Sequence, residues 1–494
     1  MDLPIVERAR QHENRRAICA NAQEFNYQDL LEMSARVAHV LLDGRADLNE
    51  ERVAFLVTPG FQYAAIQWGV WRAGGIAVPL CVSHPPPELR YVLEDADVQT
   101  VMTDTTFDCV MRPLAEELGV RFLSVSESSN TQSTSLPSVS PKRRAMIVYT
   151  SGTTSRPKGV VSTHNNIRAQ IDALLKAWQW QPDDHILHVL PLHHVHGIIN
   201  VLSCALGSGA CCEMLPKFDA ETVWQRFVDS PLTLFMAVPT VYARLIRAWE
   251  NTAPETQRQW SAACKKMRLM VSGSAALPVS TLHRWKEISG HVLLERYGMT
   301  EIGMALSNPL HGERRPGSVG TPLPTVDVRL VDDVGQPVTD DSSGEIEVRG
   351  PSVFHEYWRR DEATRNAFRD GWFRTGDVAV IEDGRYRILG RQSVDIIKTG
   401  GYKVSALEIE EVLRTHASIT ECAVVGVEDP EWGERIAVAV VFHPKTELSL
   451  ETLRAWAKER LAAYKVPTLL SAVESLPRNT MGKVTKPDVA KLFA

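Results

Sequence analysis

The sequence lacks long runs of one charge and any stretch apolar enough to cross a membrane. It has 54 Lys plus Arg against 60 Asp plus Glu, a formal net charge of −6 at pH 7. This balance gives no reason to expect binding to nucleic acid or to an anionic membrane surface. The most apolar region, 197–212, is shorter than the ~18–20 residues of a membrane span, so we expect it in the core.

Cysteine motifs and a targeting segment are also missing. The eight cysteines include no CxxC, and the adjacent pair Cys211 and Cys212 is poorly placed for a framework disulfide. We therefore expect reduced thiols. The N-terminus has four arginines by residue 16, but acidic residues lie among them and no apolar run follows. We expect a cytoplasmic protein, or a mitochondrial matrix or plastid protein if a presequence has been removed.

What the chain does contain is enough material for more than one domain. Its 494 residues are about three times the ~150 of a typical domain, and 44% of them are hydrophobic. A helical pattern over 30–42, with Asp29 as its cap, precedes apolar runs at 53–57 and 77–80 that flank a second helical pattern over 63–73. Alternating strands and helices favour an α/β fold.

The sequence pattern changes at two places. Residues 124–141 are rich in Ser, Thr, Asn and Pro, which predicts a surface loop. After Gly390 the pattern predicts a helix over 405–416, strands over 423–427 and 436–442, and a helix over 450–461. We expect this last part to form a small α+β domain.

The segment 149–159, YTSGTTSRPKG, follows an apolar run and is the clearest candidate for a phosphate-binding loop. Five hydroxyl residues, two glycines and a lysine can offer hydroxyls, backbone N–H groups and a cation to a triphosphate. A P-loop is disfavoured, because no glycine directly precedes Lys158. On chemistry alone, a Ser/Thr-rich turn stays possible.

This segment resembles the signature of the adenylate-forming superfamily, which includes acyl-CoA synthetases, luciferases and peptide-synthetase adenylation domains. Four further motifs follow in the family's order: YGMTE at 297–301, WFRTGD at 372–377, the hinge and glycine loop over 390–401, and PRNTMGK at 477–483. The resemblance implies an α/β fold, with a large N-terminal body of stacked α/β subdomains plus a β-barrel-like part. That body would span 1–390, and a small mobile α+β lid would span 391–494.

The resemblance also implies roles for particular residues. Residues expected at ATP are Thr150, Ser151, Gly152, Thr153, Thr154, Lys158, Gly273, Ser274, Ala275, Glu295, Tyr297, Gly298, Met299, Thr300, Asp377, Arg391 and Lys483. Lys483, Glu301 and Thr300 would be catalytic, with Glu301 holding Mg²⁺. Residues expected at CoA are Lys398, Gly400, Gly401 and Tyr402. Ser393 is the expected hinge, although the segment between Arg391 and Asp395 is one residue longer than in many members.

Several of these residues have ordinary structural interpretations when taken alone. Asp377 could be an Asx-turn residue, Glu301 a capping residue and Lys483 a solvated charge. Gly400 and Gly401 could form a plain β-turn. Their roles in ATP and CoA chemistry therefore depend on the motif order.

Two places predict a small anionic acid as substrate. Arg296 stands beside the expected acyl pocket, where a guanidinium can bind a second carboxylate, and His194 could add a donor. A structural ion pair is the alternative for Arg296. Three histidines in the segment 193–196 could suggest a metal, but no matching ligands complete a site, so His193 and His196 are assigned to packing and turn hydrogen bonds.

These segments resemble malonyl-CoA synthetases of the mitochondrial and plant type. That resemblance implies that malonate, or methylmalonate, reacts with ATP and CoA to give its CoA thioester, AMP and pyrophosphate. Alternatives are a short- or medium-chain monocarboxylate–CoA ligase, an acyl-AMP ligase that loads a carrier protein, and an inactive scaffold. We expect only small-molecule partners, and a monomer or dimer.

Overall fold

The structure is a computed structural model that describes residues 3–125, 135–150, 156–338, 342–478 and 482–493. In these ranges no helix combines the length and the apolar character that crossing a membrane requires.

The described strands are β1 Arg16–Ala20, β2 Gln23–Asn26, β3 Arg52–Leu56, β4 Ile76–Pro79, β5 Thr100–Thr103, β6 Arg121–Ser124, β7 Arg144–Thr150, β8 Lys158–Thr163, β9 His185–His188, β10 Cys211–Met214, β11 Leu234–Ala237, β12 Leu269–Ser272, β13 Leu294–Met299, β14 Gly303–Ser307, β15 Thr321–Pro322, β16 Asp327–Val331, β17 Gly344–Arg349, β18 Glu356–Tyr357, β19 Phe368–Arg369, β20 Trp372–Glu382, β21 Arg385–Arg391, β22 Ile396–Thr399, β23 Tyr402–Ser405, β24 Ile419–Asp429, β25 Gly433–Phe442 and β26 Leu469–Ala472.

The described α-helices are α1 Pro4–Arg10, α2 Tyr27–Leu42, α3 Phe61–Arg72, α4 Pro86–Asp95, α5 Asp108–Leu118, α6 His164–Ala177, α7 Cys204–Ser208, α8 Ala220–Asp229, α9 Pro239–Glu250, α10 Pro254–Cys264, α11 Val279–Ser289, α12 Asp361–Asn366, α13 Ala406–Leu413, α14 Leu450–Lys458 and α15 Lys486–Ala490. A π-helix spans His196–Ser203, and short 3₁₀ turns span Ala463–Lys465 and Lys491–Phe493.

Two largely parallel sheets form most of the N-terminal body. In the described ranges one sheet has the order β15-β14-β13-β12-β11-β9-β10-β1-β2, and the other has the order β18-β8-β7-β4-β3-β5-β6. Their central strands pair in parallel, and antiparallel pairs lie at the edges. In parallel sheets the carboxyl ends of the strands meet at one edge, and that edge is the usual place for a ligand.

A third, antiparallel sheet of order β16-β17-β20-β19, with β21 on β20, occupies the place expected for the β-barrel-like part. After β21 the chain enters a fourth sheet, β23-β22-β25-β24, with β26 on β25. Residues from Ile397 onward pack into core clusters of their own. The α/β fold, with a large body followed by a small C-terminal domain, is as expected, while the boundary between residues 390 and 391 stays a prediction.

The eight helices and strands predicted from the sequence pattern begin and end within a few residues of the observed bounds. One cap was wrong: Asn26, not Asp29, caps α2, and the Asp29 carboxylate accepts a hydrogen bond from the Asn26 N–H in a capping box. The apolar region 197–212 is core, as expected, and most of it belongs to the buried π-helix and α7. Of the predicted loop 124–141, residues 126–134 lie outside the described ranges.

Candidate active site

Arg296 lies at the carboxyl edge of the first sheet, one residue beyond the last pair of β12 with β13, Ser272 with Glu295. It is only 3% exposed. Its Nη2 donates to Ser274 Oγ at 3.3 Å, and its Nε has no hydrogen-bond partner. No carboxylate in the part of the chain that the structure describes forms an ion pair with it, which excludes the structural pair considered above within those residues.

Burial lowers the pKa of Arg296, since the guanidinium is separated from water without a compensating negative charge. An isolated buried charge is unfavourable unless it is paired. The arrangement therefore suits an anionic ligand.

The backbone beside Arg296 has the shape that this guanidinium requires. A Cβ placed on Gly273 would lie 2.6 Å from Arg296 Cζ, so glycine makes the close approach possible. Ser274 follows in the left-handed region with φ of 69°, and its hydroxyl contacts Arg296. Gly273 and Ser274 thus lie at Arg296. Ala275 follows them in the loop before α11.

Two histidines lie against the same cluster. His196, at the start of the π-helix, places Nδ1 3.1 Å from Ser274 Oγ, and its Nε2 has no hydrogen-bond partner. Burial, with Arg296 nearby, holds the pKa of His196 well below its usual range. Burial and the charge of Lys483 lower the pKa of His194 to about 4. Both imidazoles are therefore neutral near pH 7, and each can donate one hydrogen bond.

His196 is a residue that sequence reasoning missed. It had been assigned to packing, yet it completes a chain of polar contacts through Ser274 to Arg296. A π-helix at a functional site is a recurrent feature of proteins, but the sequence of this segment shows only an apolar run.

Lys483, from the C-terminal domain, lies at this cluster. Burial lowers its pKa, and the positive charges of Arg296 and Arg391 lower it further, so the three cations lie within electrostatic range of one another. Asn479, Thr480 and Met481 lie outside the described residues.

Asp377, Tyr297 and Arg391 form a second group. Tyr297 Oη donates to Asp377 Oδ2 at 2.6 Å, and Arg391 Nε donates to Oδ1 at 3.0 Å. The Asp377 N–H in turn donates to Thr375 Oγ1 at 3.1 Å, which is a turn closed by the Thr375 hydroxyl and not the Asx turn of Asp377 considered above. The three predicted residues are therefore in mutual contact, and the Asp377 carboxylate is held in a fixed orientation.

Glu301 and Lys158 both contact Tyr357. Tyr357 Oη donates to Glu301 Oε1 at 2.9 Å, while Lys158 Nζ lies 5.3 Å from the centre of the Tyr357 ring. Burial raises the pKa of Glu301. Tyr357 was not predicted, because it belongs to a two-residue strand, β18, that pairs with β8 far away in sequence.

The phosphate-loop candidate connects β7 and β8. Thr150 and Lys158 are cross-strand partners at the ends of these strands. The predicted residues between them, Ser151, Gly152, Thr153 and Thr154, lie outside the described residues.

The hairpin of β13 and β14 positions the rest of the adenine and magnesium motif. Gly298 packs against the Gly303 carbonyl, where a Cβ would lie only 2.1 Å from that oxygen. Met299 ends β13, and Thr300 lies with Glu301 in the turn that follows. Glu295 instead accepts a hydrogen bond from Gly317 N at 3.0 Å, so its carboxylate is engaged there. Its assignment to ATP stays a prediction.

The predicted CoA residues lie apart from the Arg296 cluster. Lys398, Gly400, Gly401 and Tyr402 form the β22–β23 hairpin, whose two glycines both have positive φ, as a tight two-residue turn requires. The adjacent Lys403 pairs with Asp333 of the N-terminal body at 2.6 Å. Ser393, the predicted hinge, lies exposed in the turn between β21 and β22.

The sequence matches the AMP-binding enzyme family over residues 5–358 and the AMP-binding enzyme C-terminal domain over 408–483. The chain belongs to the AMP-binding enzyme family. Membership confirms the resemblance noted from the five motifs, and an AMP-forming acyl-CoA ligase is the enzyme class of this chain. ATP and CoA are the substrates that fit this class.

Similar proteins include two malonate–CoA ligases. The mitochondrial malonate–CoA ligase of Xenopus laevis is 48% identical, over 98% of this chain and 91% of the relative. The malonate–CoA ligase of Arabidopsis thaliana is 40% identical, over 97% and 86%. The chain is thus similar to relatives of both the mitochondrial and the plant type.

Solved structures of MatB from Rhodopseudomonas palustris share the fold. The ATP-bound form has a TM-score of 0.92 at 32% identity, with coverage of 100% of this chain and 99% of MatB. The apo form, with the same identity and coverage, has a TM-score of 0.82. The present arrangement of the chain is therefore closer to the ATP-bound form of MatB.

Proposed function

We propose that this chain joins malonate, or methylmalonate, to CoA through a malonyl-adenylate, with release of AMP and pyrophosphate. One observation carries the choice of acid: Arg296 is buried, lacks a carboxylate partner among the described residues, and is surrounded by Ser274 and neutral histidines. A dicarboxylic acid can place one carboxylate on Arg296 while the other reacts. A monocarboxylic acid would leave the guanidinium buried and unpaired.

In this proposal the first half-reaction depends on positioning and charge. One carboxylate oxygen of malonate attacks the α-phosphate of ATP, the bond from that phosphorus to the bridging oxygen breaks, and pyrophosphate leaves. This step needs no protein nucleophile. Lys158 and Lys483 would neutralise the phosphate charge, and Asp377 would accept hydrogen bonds from the ribose hydroxyls.

The other predicted site residues are assigned to the phosphates, to the nucleotide pocket or to the acid. Thr150, Ser151, Gly152, Thr153 and Thr154 would contact the phosphates. Residues assigned to the nucleotide pocket are Gly273, Ser274, Ala275, Glu295, Tyr297, Gly298, Met299, Thr300 and Arg391. His194 would help Arg296 to orient the free carboxylate.

Glu301 suits Mg²⁺ because its carboxylate is a hard oxygen ligand, one oxygen of which Tyr357 orients. Protein sites for Mg²⁺ on nucleotides commonly use one or two carboxylates together with the substrate's phosphates. When bound, the ion would supply positive charge to the phosphates, and Glu301 would hold it.

For the second half-reaction, we propose that residues 391–494 rotate about Ser393 relative to 1–390. Lys483 would leave the cluster, and Lys398, Gly400, Gly401 and Tyr402 would line the path of the CoA thiol. Breaking the Lys403–Asp333 pair, which is exposed and therefore weak, would cost only about 0–1 kcal/mol. Compartment and oligomeric state stay predictions, to be tested by fractionation of the full chain and by light scattering.

The test compares malonate with butyrate in Arg296→Ala. Pyrophosphate release is measured with ATP and CoA over a range of acid concentrations. Loss of charge-assisted hydrogen bonds worth about 3 kcal/mol should reduce kcat/KM for malonate by roughly 10²-fold, mostly through KM. Butyrate turnover should be spared. Arg258→Ala, which removes an exposed arginine of α10, is the matched control.

Each alternative has its own outcome. Equal losses on both acids would contradict the malonate assignment, and preference of the unaltered protein for butyrate would favour a monocarboxylate ligase. Adenylate formation without transfer to free CoA would favour a carrier-protein acceptor. Absence of any malonate-dependent pyrophosphate release would favour an inactive scaffold.

A further inference from the structure

Two cysteines and a histidine meet at the other end of the first sheet. His185 begins β9, Cys211 begins β10, and Cys19 lies on the neighbouring β1. The two Sγ atoms are 3.4 Å apart, and one potential ligand atom from each of the three side chains lies within 4.8 Å of the others. His185 and Cys211 are buried, whereas Cys19 is partly exposed.

The strand register disfavours a disulfide between these thiols. Cys19 is the direct partner of Glu213, so it lies diagonally from Cys211, two residues earlier on β10. Diagonal neighbours in a sheet are about 7–8 Å apart. Disulfide-linked cysteines have Cα atoms only about 4.4–6.8 Å apart.

A metal ion fits this spacing better than a covalent bond. With Zn–S distances of about 2.3 Å, two thiolates on one tetrahedral Zn²⁺ place their sulfurs roughly 3.8 Å apart. The observed separation of 3.4 Å is close to that value. Small shifts of the side chains would be enough to admit the ion.

His185 carries the second, independent observation. It is 5% exposed, yet neither ring nitrogen has a hydrogen-bond partner among the described residues. Glu213 Oε2 lies 3.2 Å from Nε2, and the other oxygen of that carboxylate is bonded to Arg226. A carboxylate beside a histidine is the usual arrangement for orienting a metal-binding imidazole.

The two thiols differ in acidity. The hydrogen bond with Cys211 lowers the pKa of Cys19 to about 5, although partial burial opposes that shift. A thiolate, not a thiol, is the ligand of a soft cation. The same contact, together with burial, raises the pKa of Cys211, so metal binding must displace a proton from this pair.

We propose that Cys19, Cys211 and His185 bind one Zn²⁺ as a structural site that ties β1 to β10 and β9. Glu213 would orient His185, and water would take the fourth position through the partly exposed side of Cys19. Binding would displace the remaining thiol proton to solvent. The site lies at the amino ends of the strands, away from Arg296, and is independent of the acid that the enzyme activates.

The experiment uses the full chain, reduced and freed of metal, and titrates it with Co²⁺ and then Zn²⁺. We expect one Co²⁺ per chain, with the thiolate-to-cobalt charge-transfer absorption, and its displacement by Zn²⁺. Zn²⁺ should also raise the melting temperature. Cys19→Ser and His185→Ala should lose the absorption band and the thermal shift, whereas Cys109→Ser, which replaces an exposed cysteine, should keep both.

Other results would overturn the proposal. These are binding of well below one Co²⁺ per chain, an absorption band that survives Cys19→Ser, or an equal loss of the band and the thermal shift in Cys109→Ser. If a variant fails to fold, thiol counting on the unaltered chain decides: Zn²⁺ should protect two of the eight cysteines from alkylation. Peptide mapping that finds Cys19 and Cys211 linked by a disulfide would overturn it as well.

Discussion

The two ends of the nine-stranded sheet differ in whether their buried charged side chains have oppositely charged partners. At the amino end, Glu213 is paired with both His185 and Arg226. At the carboxyl end, Arg296 has a hydroxyl partner but no carboxylate among the described residues, and Glu295 accepts only from a backbone N–H. The amino end is compensated within the protein, whereas the carboxyl end is suited to charges that a substrate brings.

The pKa values of the two glutamates express this difference. Burial raises the pKa of Glu295 to about 8, with little to oppose it. Burial acts on Glu213 too, but its ion pairs with His185 and Arg226 outweigh it and lower its pKa to about 2. Two carboxylates of one sheet should therefore have opposite effects on stability, and variants at the two ends can break or sharpen the contrast.

Lys483→Ala should have the largest effect, and only on activity. Removing a cation that neutralises developing charge should reduce kcat for malonate-dependent pyrophosphate release by roughly 10²–10³-fold. Its melting temperature should change little, because the positive charges of Arg296 and Arg391 oppose that of Lys483 in the folded state. Lys491→Ala, at an exposed C-terminal lysine, should behave like the unaltered protein. A loss of less than tenfold would contradict the role of Lys483.

Glu213→Gln should act on stability and spare the activity. Loss of a buried carboxylate with two cationic partners should cost about 2 kcal/mol, which lowers the melting temperature by about 2 °C in a chain of this length. Because the folded-state pKa of Glu213 is depressed, its contribution is present above about pH 4.5 and is lost as pH falls toward 2. The exposed Glu221→Gln is the control, and an equal change there would remove the contrast.

Glu295→Gln should stabilise the fold, in contrast to Glu213→Gln. The folded-state pKa of Glu295 is raised, so the unfolded state loses its proton first and stability falls as pH rises from about 4.5 to 8. Glutamine avoids this penalty and should raise the melting temperature by an amount that grows over that interval, corresponding to about 4 kcal/mol at pH 8. A pH-independent difference would contradict the interpretation. An accompanying rise in KM for ATP would support the predicted nucleotide contact.

Tyr357→Phe should have the smallest effect. It removes the hydrogen bond to Glu301 but keeps the ring beside Lys158, so a loss of about 1 kcal/mol should raise the Mg²⁺ concentration needed for half-maximal rate by roughly fivefold. The KM for malonate should not change. Tyr402→Phe, in the CoA hairpin, is the matched control in this assay.

The sequence predicted most reliably the candidate site residues that belong to short contiguous motifs. Arg296 and Asp377 belong to short motifs, so their place in the site could be predicted from their neighbours in the chain. Cys19 and Cys211 are 192 residues apart, and only the pairing of β1 with β10 brings them together. Tyr357 was missed for the same reason. Non-local strand pairing decides such contacts, and one sequence carries no direct signal for it.

The close approach of Gly273 to Arg296 also constrains how relatives of this enzyme can diverge. In its present position the guanidinium leaves no room for a side chain at position 273, so that residue could be enlarged only if Arg296 moved or became shorter. Under the proposed role of Arg296, an enlarged residue 273 would change the acid preference by displacing the guanidinium, without contacting the acid itself. A library aimed at acid preference should therefore vary positions 273 and 296 together.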